Sequence, residues 1–177
     1  AGHPKASVVN NGRITVAGAG LAALVAPDVR NSNSGIITAR VVTLGSGDTF
    51  ALDLAGDGLI SLAVGAIPSQ YVENSGTITA TSGQVLLTVA EATGIVDNLI
   101  NMSGGIQGNN AAVTINTRGT ATATGRVMGT GTTLIKTGTG TLTLAGANTY
   151  TGTTTINNGT LALGANNALR TGSNIVV

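Results

Sequence analysis

The chain has 177 residues, of which 27 are glycine and 8% are charged, for a formal net charge of +1. Glycine runs at about twice its usual share of roughly 7% and charge at about a third of the usual roughly 25%, while three prolines and no Gly-X-Y period exclude collagen. Low charge with 42% hydrophobic residues excludes a solvated disordered tail, no apolar run reaches the length of a membrane helix, and 2% aromatics with scattered Lys and Arg exclude a nucleic-acid surface.

No cysteine is present, which removes disulfides, thiolate nucleophiles and cysteine metal sites together. The chain starts at Ala1 with neither an initiator Met nor a signal peptide, and is read as mature, processed or excised. His3, beside Pro4, is the single histidine and anchors neither a triad nor a zinc site.

Val9-Asn10-Asn11-Gly12-Arg13-Ile14-Thr15 introduces a phrase that recurs along the chain: an apolar residue, Asn, any residue, Gly, any residue, then Ile or Leu in an alternating run. Ile14 to Ala23 imitates a dinucleotide fingerprint, G-x-G-x-x-A after a strand. Pro27 cuts the required helix short and Arg40 stands where an acid is needed, so these glycines read as turns. Gly20–Ala26 is also one of two places where a short helix competes with strand. The phrase returns at Asn33-Ser34-Gly35-Ile36-Ile37, and Phe50–Leu54 and Ile60–Val64 then alternate like strands.

Asp48, Asp53 and Asp57 cluster around this point, and a glycan-cleaving pair needs two carboxyls roughly 5 to 9.5 Å apart. Asp48 and Asp53 fall an odd number apart and tend to opposite faces, and Asp57 between glycines is turn chemistry. One Gly-Asp-Gly is also too few oxygens for calcium, so no catalytic residue, cofactor or metal ligand is assigned.

Further copies follow at Val72-Glu73-Asn74-Ser75-Gly76-Thr77-Ile78, at Ile100-Asn101-Met102-Ser103-Gly104-Gly105-Ile106, and at Ile156-Asn157-Asn158-Gly159-Thr160-Leu161. Between them lie the strand-like Val85–Val89 and Leu142–Leu144, and Ala90–Ile100, the second helix candidate, interrupted by Gly94. At most one short helix is expected, on a coil corner. The sequons at Asn101 and Asn158 sit inside the repeat and read as turn residues.

Gly12 and Gly35 are 23 apart (35 − 12) and Gly35 and Gly76 are 41 apart (76 − 35), close to one and two steps of a solenoid with variable loops. Asn and Gly tolerate left-handed backbone and mark the corners: Asn10, Gly12, Asn33, Gly35, Asn74, Gly76, Asn101, Gly104, Asn157 and Gly159. The strands that follow point Ile14, Ile37, Ile78, Leu142, Leu144 and Leu161 inward. Such short strands bury an apolar face only by stacking coil on coil, Ile over Ile and Asn over Asn. The expectation is an all-β parallel β-helix of about eight coils, with a neutral, Thr-rich exterior from Thr139 to Thr155.

Two resemblances sit on these residues. The stretch from Val8 to Gln107 resembles the coils of filamentous-haemagglutinin-type exoproteins. It does so through Val9–Ile14, Leu24–Asn31, Gly47–Leu54 and Gly56-Asp57-Gly58-Leu59-Ile60. Gly131 to Gly164 is similar to the autotransporter-associated β-strand repeat through Leu134-Ile135-Lys136-Thr137-Gly138-Thr139-Gly140-Thr141-Leu142-Thr143-Leu144, Ala145–Gly152 and Thr153–Leu161. The division is thus 1–130, haemagglutinin-like coils, and 131–177, an autotransporter-type repeat continuing the same solenoid. The chain lacks the exoprotein family's Asn-Pro-Asn-Gly secretion signatures and the autotransporter's membrane barrel, and Ala165–Val177 begins another coil, so a segment of something larger, or a repeat unit continued by a neighbour, is expected.

The resemblance implies a right-handed β-helix in the exported part of a type V secretion protein, secreted or on the outer surface of a Gram-negative bacterium. A non-enzymatic stalk or adhesin is the function expected, with adhesion from loops such as Gly65–Val72 or Gly104–Asn110. Its partners are a host or neighbouring-cell surface ligand, or further copies of itself end to end, with no nucleic acid and no membrane insertion of this segment. The alternative is a self-assembling fibre subunit, and a polysaccharide-active enzyme stands third.

Overall fold

The computed structural model describes residues 6–47, 71–89 and 100–177, with the backbone alone of 49–52 and 60–63. Coil one runs through β1 (Ser7–Asn10), β2 (Arg13–Thr15) and β3 (Leu21–Ala26), and coil two through β4 (Asp28–Asn31), β5 (Ile36–Thr38) and β6 (Val41–Ser46). After β7 (Thr49–Leu52) and β8 (Ile60–Ala63), coil three takes β9 (Tyr71–Asn74), β10 (Thr77–Thr81) and β11 (Gln84–Val89). Coil four holds β12 (Ile100–Met102), β13 (Gly105–Asn109) and β14 (Ala112–Asn116), and coil five β15 (Thr120–Ala123), β16 (Val127–Met128) and β17 (Thr133–Thr137). Coils six and seven have two strands each, β18 (Thr141–Leu144) with β19 (Thr154–Ile156), then β20 (Thr160–Leu163) with β21 (Ile175–Val176).

Corresponding strands of successive coils pair in parallel, building faces of seven, five and seven strands. This is a parallel β-helix of about seven coils. The step from coil to coil is 21 residues between Asn10 and Asn31 and again between Val127 and Asn148. It widens to 43 between Asn31 and Asn74 and to 28 between Ser75 and Ser103. Both widenings fall at one corner, where the third face hands over to the first: after β6 and after β11.

Alternation within each short strand sends one set of side chains inward, and the parallel register stacks like on like. On the first face the inward row is Val8, Val29, Val72, Ile100, Ala121, Leu142 and Leu161. The second face stacks Ile14, Ile37, Ile78, Ile106 and Val127. The third stacks Leu24, Leu44, Leu87, Ile115, Lys136 and Ile156. Ile37, Ile78, Leu142 and Leu144 are at most 1% exposed, while Ile14 and Leu161, in the end coils, pack against the core half-buried. Each fully buried Val, Leu or Ile contributes about 1.5–3 kcal/mol.

Besides Gly104–Asn110, expected as a loop and found as β13 paired with β10 and β16, the structure departs from the sequence reading at three places. Gly20–Ala26 is not a helix turn: Leu21–Ala26 forms β3 and pairs along its whole length with Val41–Ser46, which satisfies its backbone between coils. The runs Phe50–Leu54 and Ile60–Val64 add no coil. β7 pairs antiparallel with β8 as a hairpin, and β8 packs against β6. That removes the eighth coil, since alternation marks a strand without saying whether its partner is a rung or its neighbour in a hairpin. The helix candidate at Ala90–Ile100 lies outside the described residues except Ile100, which begins β12.

The third departure concerns the corner glycines. Of Gly12, Gly35, Gly76, Gly104 and Gly159, positive φ occurs at Gly159 alone, at 77°. What Gly76, Gly104, Gly125 and Gly146 share is contact between coils. A Cβ on each would collide with the carbonyl oxygen of the previous member of the column, Gly35, Gly76, Gly104 and Gly125 respectively. Glycine is needed there because one coil's backbone lies on the next.

Candidate functional site

The outward side chains of the first face change character along the axis. In coils two and three they are charged: the Arg30 guanidinium donates to both Asp28 carboxylate oxygens at 2.9 and 3.2 Å through Nε, and Glu73 stands 4.0 Å away. The hydrogen bond and charge of Asp28 hold Arg30 above its ordinary pKa. Arg30 also lies over the Tyr71 ring, 5.4 Å from its centre. Burial raises the Tyr71 phenol above its usual value, with a hydrogen bond from Asn101 opposing and the Glu73 carboxylate adding to the rise.

Beyond Tyr71 the face turns neutral. A shallow depression of about 360 Å³ opens there, lined by Tyr71, Asn101, Ser103, Thr122 and Thr124. The corner between the second and third faces carries a longer groove of about 520 Å³, touched by five successive coils from Ala19 through Arg40, Gln84 and Asn110 to Thr133. Ser82 and Asn110 adopt φ of 51° at this corner, and the Arg40 Nε donates to the Ser82 carbonyl at 3.1 Å.

Inside, the polar residues form ladders. Asn10 Nδ2 donates to Asn31 Oδ1 at 2.8 Å, and Asn31 Nδ2 donates to Asn74 Oδ1 at 2.8 Å. The row ends there, because Met102 occupies the next rung and leaves the buried Asn74 Nδ2 without a partner. Lys136 is fully buried, and its ammonium donates to the carbonyls of Thr137 and Gly138 at 2.6 Å and of Asn158 at 3.3 Å. It thereby fastens the corner of its own coil to the corner of the next. In coil six, where the second face has no strand, Asn148 supplies the missing pairing. Its Oδ1 accepts from the Val127 N–H at 2.7 Å and its Nδ2 donates to Ala168 O at 2.6 Å. Tyr150, 2% exposed, fills the space beside it, with its hydroxyl 2.6 Å from Thr154 Oγ1.

The predicted repeat residues are distributed as follows. Asn10 and Asn74 belong to the buried ladder, whose middle member is Asn31; Asn33 lies two residues further on and is exposed. Asn101 sits half-buried on the outer face and Asn157 is exposed, with its N–H on the Lys136 carbonyl. Gly35, Gly76 and Gly104 form the stacked glycine column, and Gly12 sits at its open end with nothing within 4 Å of a built Cβ. Asp48, Asp53 and Asp57, and His3, lie outside the described residues. Among the described residues no three His, Cys, Asp or Glu come together to hold a metal, and no helix is long and apolar enough to cross a membrane. Lys136, Asn31, Asn148 and Tyr150 were not singled out from the sequence. The inward parity of Lys136, two residues after Leu134, is the signal that finds it.

Residues 134–163 match the passenger-associated-transport-repeat, a unit typical of autotransporter passenger regions. No curated protein and no solved structure matches the chain. The matched stretch runs from β17 to β20 and contains the parts that give this end its shape: Lys136, Gly140, Leu142, Leu144, Asn148, Tyr150, Thr154 and Gly159. The repeat implies a passenger transported through the outer membrane, hence a surface or secreted location. The haemagglutinin-type likeness of Val8–Gln107 stays a resemblance, as the match does not extend to it. The third face runs unbroken past the boundary at 130, with β14 paired to β17 over five residues.

Proposed function

We propose that this chain is a non-enzymatic β-solenoid segment of a bacterial exoprotein, a stalk or adhesive shaft displayed on or released from a Gram-negative cell. The observation that carries the reading is continuity: the passenger repeat at 134–163 lies in the same parallel sheets as the coils before it, so one axis runs through the whole described chain. Seven rungs at about 4.8 Å make a stiff column of about 30 Å, to which each added coil contributes one rung. Stacking energy is local, so such a column folds rung by rung as it emerges from a membrane.

The test is attachment without turnover. Beads coated with the protein should bind host cells, extracellular matrix or neighbouring bacteria more than albumin-coated beads do. Incubation with plant and bacterial polysaccharides should release no product. Release of reducing ends by the pure protein overturns the reading in favour of an enzyme.

A second reading is a fibre subunit, supported by apolar side chains on the outermost strands: Val9 is 47% exposed, Leu163 58% and Val176 52%. Open parallel edges template a further strand. Electron microscopy decides between them, long filaments favouring assembly and isolated short particles the shaft.

A further inference from the structure

Two Asn-Gly dipeptides occur in the chain, Asn11-Gly12 and Asn158-Gly159, and all four residues are exposed. In such a pair the glycine nitrogen can close a five-membered ring onto the Asn side-chain carbon, since glycine has no side chain to crowd it. The structure makes the two pairs unequal. The Gly12 N–H turns away from Asn11 and donates to Asn10 Oδ1 at 3.2 Å, while the Asn11 carbonyl accepts from the neutral Ser34 hydroxyl at 2.9 Å. The Gly159 N–H donates instead to Oδ1 of its own Asn158, at 2.7 Å. Asn158 Cγ lies one bond behind that oxygen, and reacting atoms about 3–3.5 Å apart form a near-attack pair. Gly159 holds this arrangement at φ 77°, where a residue with a side chain is strained.

The second distinction is electrostatic. Asn158 O, the oxygen of the peptide bond that carries the Gly159 nitrogen, accepts from the Lys136 ammonium at 3.3 Å. For the ring to close, that nitrogen must lose its proton, and negative charge then spreads over the nitrogen and oxygen of the peptide. A buried ammonium on the oxygen stabilises this charge where it develops, as a preorganised oxyanion donor does. Glycine is also what lets the ammonium come so close, because a Cβ at position 159 would stand 2.9 Å from Lys136 Nζ.

We infer that Asn158-Gly159 is a self-modifying site, at which the folded chain converts Asn158 to aspartate and isoaspartate through a succinimide. The Gly159 nitrogen attacks Asn158 Cγ. A bond forms between them as the Cγ–Nδ2 bond breaks, and Nδ2 leaves as ammonia with the proton that the Gly159 nitrogen gives up. Water then opens the ring at either carbonyl, so the new carboxylate ends on the side chain or on the main chain. Either product takes the formal net charge from +1 to 0 (1 − 1). The isoaspartate also lengthens the main chain by one methylene at the corner that leads into β20. The inference is independent of the shaft reading.

The test uses the 177-residue protein, incubated in mildly alkaline buffer either folded or unfolded in guanidinium chloride. Proteolytic peptides covering each Asn-Gly pair are followed by mass spectrometry for exchange of the amide for a carboxyl, and isoaspartate is counted by enzymatic methylation. In the folded protein Asn158 should convert roughly tenfold faster than Asn11, and faster than Asn158 itself in denaturant. In denaturant the two pairs should convert at similar rates. Asn158→Gln, which cannot close the five-membered ring, should keep its β-sheet circular dichroism and give no product at this corner. Were folding merely to shield Asn11, the ratio would rise while Asn158 slowed relative to its unfolded rate, and that result overturns the inference. Equal rates at the two pairs in the folded protein, or no conversion at Asn158, overturn it as well.

Discussion

Replacing one corner glycine by alanine separates two explanations for the whole repeat. If Gly12, Gly35, Gly76 and Gly104 are present because a sharp turn demands left-handed backbone, alanine should cost about the same at each. If they are present because coils touch, the cost should depend on what lies in the column. At Gly12 a Cβ meets nothing within 4 Å, whereas at Gly104 it overlaps the Gly76 carbonyl oxygen and crowds the Ser75 carbonyl carbon at 2.5 Å. Real Cβ contacts essentially never fall below 3.0 Å, so the backbone of one coil must lift from the next. Both neighbours are main chain, held by the Gly104 N–H on Asn74 O at 2.7 Å and the Gly105 N–H on Gly76 O at 3.0 Å, and neither can rotate away.

Overpacking of this kind costs about 1–3 kcal/mol. With a urea m-value of about 2 kcal/mol/M, a 2 kcal/mol loss lowers the unfolding midpoint by about 1 M. Gly12→Ala should leave the midpoint unchanged or raise it by up to about 0.5 M, through reduced entropy of the unfolded chain. Urea titrations followed by circular dichroism read both. Equal shifts for Gly12→Ala and Gly104→Ala would refute the stacking account.

Other consequences are measured the same way. Ile78→Asp places an unpaired carboxylate in the stacked isoleucine row and should abolish folding, while Thr143→Lys, on an outward half-buried position, should shift stability by less than about 0.5 kcal/mol; equal tolerance would contradict the assignment of faces. Ser82→Val, at φ 51°, should cost about 1–2 kcal/mol, whereas Ser82→Gly should stay within about 0.5 kcal/mol, and a neutral valine would show that the corner relaxes freely. Burial raises both the Tyr71 and Tyr150 phenols above 10.0, so the folded chain keeps protons the unfolded chain has released. Stability should therefore be full below about pH 10 and fall as pH rises through the folded values; urea midpoints equal at about pH 8 and about pH 11 would contradict it.

What the sequence revealed was whatever a strand states locally. Ile78 and Leu142 alternate with polar neighbours, and that alone puts them inside. Register is a long-range property, and there the reading slipped. The recurring Asn-x-Gly pattern matched Asn33 with Asn10, but the pairing that buries amide on amide takes Asn31, two residues earlier. The 43-residue step to Asn74 hid the hairpin, because its strands alternate as well as any rung. Lys136 and Asn148 were missed for a different reason. Each is held partly by carbonyls one or two residues away, Thr137 and Gly138 for Lys136 and Gly146 for Asn148, and partly by groups 20 or more residues away that only the stacking of coils brings near. The depression at Tyr71 is likewise assembled from three coils, so no short window of sequence contains it.

The shared corner of the two widened steps has a practical meaning. Extra sequence is inserted at a seam between the third and first faces, and strands on both sides resume in unshifted alignment, Asn31 over Asn74 and Thr88 beside Asn116. Length added there is cargo that the shaft carries without recalibrating itself. The short corners 117–119 and 138–140 occupy the same seam in later rungs, and there the chain is tied down instead: Thr117 is buried, the Gly140 N–H donates to its carbonyl, and Lys136 holds the carbonyls of Thr137 and Gly138.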